Sequence, residues 1–216
     1  MTPGALARRL LGSRFRAVGE VYRRVFVDLN KVADAMAAEL PPGARCLDVG
    51  GGDGALAEVL LRRRPDLRIT LIDLAADVGG FLSPAARERV EIRPATPLSE
   101  LTAEGRAFDA VILADVMHHV PVDARAGFLG DLRAFCAASG CRLLIVKDVE
   151  PGGVRARLSY LSDHFITGDR NVSLIAAATV RARLEATLGG ELLSVETTVP
   201  DAPNYCLVAR LKAPAT

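Results

Sequence analysis

Residues 46–54 read Cys46-Leu47-Asp48-Val49-Gly50-Gly51-Gly52-Asp53-Gly54, a short, mostly apolar run that passes directly into glycines. Such a run, followed by Leu56, Val59, Leu60 and Leu61 at helical spacing, is a strand turning tightly into a helix. Glycine serves that turn in two ways. It lets the chain reverse sharply, and it lets a ligand approach backbone where a β-carbon would block it. Open α/β sheets bind ligands at this place, beyond the carboxyl end of a strand. Gly50-x-Gly52-x-x-Ala55 also satisfies a dinucleotide spacing, so the loop alone leaves an NAD(P)-binding oxidoreductase open.

Upstream, Phe15, Val18, Tyr22, Val25, Leu29, Val32, Met36 and Leu40 recur at steps of three or four. They predict one long amphipathic helix, stopped by Pro41-Pro42-Gly43. Downstream, Arg68–Asp73 reads as a second strand. Short helical stretches are expected around Ala75–Leu82 and from Pro84, then a weak strand at Val90–Ile92. Phe108–Leu113 and Arg142–Val146 are apolar strands, separated by a helix carrying Val122, Phe128, Leu129, Leu132 and Phe135. Residues 150–172 show no clear period. A helix with Leu174, Ala177, Val180, Leu184 and Leu188 follows, ended by Gly189-Gly190. Two alternating runs, Leu193–Val199 and Tyr205–Leu211, joined by residues 200–204, close the chain as a hairpin.

Apolar strands alternating with helices imply a parallel sheet covered on both faces. The expected fold is α/β and Rossmann-like: seven strands, mostly parallel, helices on both faces and a C-terminal antiparallel hairpin. Residues 1–43 form a helical extension or cap and residues 44–216 one domain, with a lid insert at about 150–172.

At 216 residues and half hydrophobic, the chain can bury a core without disulfides or metal. Twenty-seven basic against 26 acidic residues give a net charge of +1, which lacks the surplus that nucleic-acid binders use. All the basic residues but Lys31, Lys147 and Lys212 are arginines, which reads as coding bias in an alanine-rich chain. Cys46, Cys136, Cys141 and Cys206 form no CxxC pair and fit a reduced thiol set. No apolar run approaches the ~20 residues of a membrane span, and no signal-peptide block follows Arg8 and Arg9. A cytoplasmic protein without nucleic-acid or membrane partners is expected. The striped N-terminal helix is offered to its own sheet or to a second subunit, as in a homodimer.

Asp73 closes the second strand, where a carboxylate can accept both ribose hydroxyls in either nucleotide reading. Asp48 separates the readings. Pyrophosphate would be repelled by a carboxylate beside the loop, whereas a ligand with a cationic amino group and a sulfonium would be attracted.

The segment Leu47–Gly54 resembles motif I of class I S-adenosylmethionine-dependent methyltransferases, and Leu71-Ile72-Asp73 their acidic strand-two motif. Phe108–Pro121, containing Asp115-Val116-Met117-His118-His119, is similar to the fourth-strand motif of small-molecule O-methyltransferases. Gly140–Asp148 looks like the fifth-strand motif. The resemblance covers about residues 44–212, with the motifs in order. It implies S-adenosylmethionine as cofactor, with Gly50, Gly52 and Gly54 passing its methionine end. Asp48 would organise the amino group, Asp73 the ribose, and Ala114 and Asp115 the methionine portion. Arg93-Pro94-Ala95-Thr96 departs from the family, which often places an acidic residue there against the adenine.

Methyl transfer to a phenol needs a base for the departing proton. His118, His119 and His164 are the only histidines and the candidates, His118 matching the family's local pattern best. His164, beside Asp163, lies in the expected lid. Tyr22 and Arg23 are candidates to close over the cofactor. No metal is expected: Asp115 and Asp148 end neighbouring strands, but Lys147 would oppose a cation. No [DN]PP[YFW] follows the fourth strand, which speaks against exocyclic-amine methylation. A small organic acceptor, methylated at oxygen in secondary metabolism, is the expectation, with nitrogen and carbon open. A non-catalytic cofactor-binding relative is the remaining alternative.

Overall fold

The computed structural model describes residues 28–153 and 172–213. The stripe from Phe15 to Val25, with Tyr22 and Arg23, lies outside them, as do Asp163 and His164. The elements run α1 (Leu29–Glu39), β1 (Arg45–Val49), α2 (Ala55–Arg63), β2 (Arg68–Ile72), α3 (Pro84–Arg87) and β3 (Val90–Arg93). They continue with α4 (Leu98–Glu104), β4 (Ala110–Ala114), α5 (Arg125–Ser139), β5 (Leu143–Val149), α6 (Ala177–Leu188), β6 (Leu192–Asp201) and β7 (Asn204–Leu211).

The seven strands make one sheet in the order β3-β2-β1-β4-β5-β7-β6. The first five pair in parallel, and β7 enters antiparallel between β5 and β6. Strand order reverses at β1 and β4, so the ends of those two strands flank the crevice where such sheets take ligands. The expected fold is therefore the observed one.

Alternation along the strands assigns the two faces. Leu47, Val49, Val111, Leu113, Leu144 and Val146 pack with Leu101, Phe135 and Val180 of α4, α5 and α6. Cys46, Ile69, Leu71, Ile112 and Ile145 pack on the other face with Met36, Leu60 and Ala86 of α1, α2 and α3. Asp28 caps α1, accepting from the Asn30 and Lys31 amides. Arg64, just past α2, donates to the carbonyls of Ala37, Leu40 and Pro41, satisfying acceptors left over at the end of α1.

Three local expectations are corrected. Residues 75–82 make turns and not a helix. The Gly79 and Phe81 amides donate to the Gly52 and Asp53 carbonyls, at 2.9 and 2.8 Å, so they are spent on the glycine loop instead of on a helical ladder. Val122 is exposed and precedes α5, because the Ala124 and Arg125 amides close a turn onto Pro121 first. The hairpin strands run further than their alternation suggested, leaving only Ala202 and Pro203 between them.

Strand β6 is the sheet's outer edge and carries exposed Leu193 and Val199. Arg181 of α6 reaches around it, donating to the Val195 carbonyl and the Thr197 hydroxyl at 2.5 and 2.6 Å. Among the described residues no helix is long and apolar enough to cross a membrane.

Met36 is fully buried between α1 and the sheet. Met36→Ala is expected to cost about 2–5 kcal/mol in urea unfolding, and a negligible loss would show that α1 is not part of the cooperative unit.

Candidate active site

The loop after β1 folds over the end of β2: the Gly50 and Gly51 amides donate to the Ile72 carbonyl at 2.8 and 3.2 Å. Gly50 has φ 69°, and a β-carbon there would stand 2.7 Å from Val116 Cγ2. One on Gly51 would meet Leu71 Cγ at 2.5 Å and Asp48 Oδ2 at 2.7 Å. The loop is thus pressed against the first turn after β4 on one side and against a carboxylate on the other. Gly52, by contrast, faces open space, with nothing closer than 3.9 Å.

That carboxylate is nearly inaccessible, and Asp48 Oδ1 has no hydrogen-bond partner among the described residues. Burial first, then the charges of Asp73 and Asp53, push its carboxyl up to about 7. Asp73 closes the loop from above: Oδ2 accepts from the Gly52 amide at 2.9 Å and Oδ1 from the Ala75 amide at 2.8 Å. Next to it Leu74 projects into solvent, 77% exposed. Arg93, where an acidic reader of adenine was missing from the sequence, is occupied by Glu100 and Glu104. The Thr96 amide donates to the Asp73 carbonyl, which ties this turn to the end of β2.

A second constellation stands at the ends of β4 and β5. Asp115 has φ 59°, unusual for a residue with a β-carbon. Its amide donates to the Lys147 carbonyl at 2.9 Å, and both its carboxylate oxygens accept from Lys147 Nζ, at 2.6 and 2.7 Å. Burial alone would push the Asp115 carboxyl up. The Lys147 ammonium, assisted by His118 and His119, outweighs it and holds it below the usual carboxylate range.

Beyond the turn, His118 is buried and its Nδ1 lies 2.6 Å from Asp148 Oδ1. A carboxylate only accepts, so the hydrogen sits on Nδ1. Asp148 also accepts from the His118 and Val149 amides at 3.1 and 2.7 Å. His119 is half-buried, its ring 4.2 Å from that of His118. Asp115, His118 and Asp148 offer ligand atoms within 4.8 Å of one another, but those atoms are engaged by Lys147, by each other and by backbone amides.

The family is decided by the match of a methyltransferase-domain model to residues 21–187. The chain belongs to that family. Among curated relatives, this methyltransferase-family chain is 29% identical over 208 residues to aclacinomycin 10-hydroxylase RdmB of Streptomyces purpurascens. That match covers 87% of the chain and 52% of the relative. It is 34% identical over 116 residues to acetylserotonin O-methyltransferase of Rattus norvegicus, covering 49% of the chain and 25% of the relative. The chain therefore spans about half the length of the first and a quarter of the second. Its fold matches the Burkholderia thailandensis 1,6-didemethyltoxoflavin-N1-methyltransferase crystallised with 1,6-didemethyltoxoflavin and S-adenosylhomocysteine. The TM-score is 0.59 at 22% identity, over all of this chain and 92% of that one.

The structure gathers Asp48, Gly50, Gly52, Gly54 and Asp73 around one loop, and Ala114, Asp115, His118 and His119 on the adjoining turn. Sequence reasoning passed over Leu74, and it weighed Lys147 and Asp148 only as metal-site neighbours. A charged pair ending an otherwise apolar strand was the signal for the last two. A hollow of about 650 Å³ lies away from this site, at the opposite end of the strands by Arg45, Arg68 and Arg106.

The folded pKa of Asp48 is raised, so the unfolded chain loses this proton first. Stability from the protonated form is present at low pH and is lost as pH climbs through about 7. Asp48→Asn is therefore expected to raise the melting temperature of the ligand-free protein more at pH 8 than at pH 5. An equal change at both values would show that the buried carboxyl is not the strained group.

Proposed function

We propose that this chain binds S-adenosylmethionine and transfers its methyl group to an oxygen of a small organic acceptor. The observation that carries the reading is the buried Asp48 carboxylate with an orphaned oxygen beneath a glycine loop, a place suited to a cationic amino group and hostile to pyrophosphate. Gly50, Gly52 and Gly54 pass the methionine end. Asp73 takes the ribose hydroxyls with lone pairs not used on its own loop. Leu74 offers the purine an apolar face, and Ala114 and Asp115 flank the methionine portion.

When bound, S-adenosylmethionine supplies an electrophilic methyl group, whose bond to sulfur breaks with its electron pair going to sulfur as the acceptor oxygen takes the carbon. Asp148 fixes the His118 tautomer, which makes Nε2 the basic nitrogen that receives the acceptor's hydroxyl proton. His119 lines the same turn from its more open side, and His164, which lies outside the described residues, stays a candidate base on its sequence position alone. An apolar hollow of about 280 Å³, lined by Pro151, Ala177, Val199, Pro203 and Tyr205, gives the acceptor a wall at the same end of the sheet. The molecules in the names of a relative and a neighbour, acetylserotonin and 1,6-didemethyltoxoflavin, are small organic compounds. The reading takes residues 44–216 as the catalytic unit, with the 1–43 extension as cap or dimer contact, in a cytoplasmic setting without nucleic acid.

A relative named as a hydroxylase shows that family membership leaves the reaction open, so the test must follow the methyl group itself. Label from S-adenosylmethionine is expected to appear in a phenolic acceptor. His118→Ala should lower kcat by about 10²–10⁴-fold and remove the acidic limb of its pH dependence, the fall in rate as the imidazole protonates. Asp73→Ala should abolish calorimetric binding of S-adenosylhomocysteine. Binding of NAD or NADP alone would overturn the reading.

A further inference from the structure

Lys147 sits fully buried inside the carboxyl end of β5, an expensive place for an ammonium group unless its partner is fixed. Its partner is the Asp115 carboxylate, held on both oxygens, in a left-handed turn secured by the backbone bond from Asp115 to Lys147. The side chains differ in access. Lys147 is 1% exposed and Asp115 43%, so the pair turns its carboxylate outward and keeps its cation behind. The next residue, Val116, presses on Gly50 of the glycine loop. Asp115 is therefore one residue removed from the backbone that cradles the methionine end in the site proposed above.

We propose that Lys147 is a charge-balancing residue, whose ammonium neutralises Asp115 where the cofactor's sulfonium is held, so that the site does not favour the cationic donor over its neutral product. The inference rests on the cofactor site proposed above. Methyl transfer removes the positive charge from sulfur as the reaction proceeds. A lone carboxylate at that point would stabilise the starting state more than the transition state and so raise the barrier. Paired with Lys147, Asp115 still shapes the turn and accepts hydrogen bonds, but it acts on the sulfonium as a dipole and not as a full charge. Lys147 acts through Asp115 and is a positioning residue.

S-adenosylmethionine and S-adenosylhomocysteine differ by the methyl group and the charge on sulfur, so the ratio of their affinities reads the field at that atom. Both would be titrated calorimetrically into the full chain and into Lys147→Met, Asp115→Asn and the double variant. Lys147→Met is expected to shift the ratio towards S-adenosylmethionine by about tenfold, the order expected for one uncompensated charge at close range in a partly screened site. Asp115→Asn should shift it the other way, and the double variant should restore the wild-type ratio. A merely structural role would weaken both ligands alike and leave every ratio unchanged, which overturns the proposal. If Lys147→Met does not fold, Asp115→Asn and the double variant carry the same comparison. Wild-type protein that binds neither ligand would overturn the cofactor site itself, a different result from binding with invariant ratios.

Discussion

At the end of β1 sits a buried carboxylate, one oxygen of which accepts no hydrogen bond from the described residues, and the chain has to pass directly over it. At Gly51 any side chain would strike Asp48 or Leu71. The passage therefore needs glycine on geometric grounds, before any ligand is considered. The same crossing brings two amides onto the Ile72 carbonyl, which locks the loop to β2, and a third onto Asp73. Much of the upper surface follows from that crossing. The segment 75–82 is pulled out of helical geometry by its bonds to the loop, and the turn after β4 is set by the contact between Val116 and Gly50.

Charge is handled differently on the two sides of the crevice. On the β1 side the carboxylate has no counterion among the described residues, so its ionised form carries a penalty that protonation relieves and that, in the proposed site, a cationic ligand would relieve as well. On the β4–β5 side each carboxylate is matched: Asp115 with an ammonium, Asp148 with an imidazole and two amides. An unmatched charge attracts a ligand, while a matched one holds a shape. In the proposed site, grip and geometry would thus fall to different pairs of strands.

The strand pattern, the glycine loop and the acidic end of β2 were legible in the sequence because each rests on local periodicity or on a residue type with few alternatives. Asp148 and Lys147 were harder. Adjacent along β5, they face opposite sides of the sheet, so one meets His118 and the other Asp115. Which neighbour each meets depends on the β4–β5 register and on the left-handed turn at Asp115, and neither is written in composition or spacing. Residues 75–82 misled for a related reason: their helical composition yielded to acceptors supplied by a distant loop. Leu74 was passed over because an isolated leucine after a strand carries no pattern.

Arg181 on the rim of β6 has a consequence for solubility. A ten-residue outer strand with leucine and valine in the open could template the addition of a like strand from another molecule. A guanidinium bonded to the Val195 carbonyl removes an acceptor from that unpaired row and places a positive charge in the path of any incoming strand. The protein therefore carries its own deterrent to fibrillar self-association, in a side chain that sequence alone would assign to an ordinary solvated helix face.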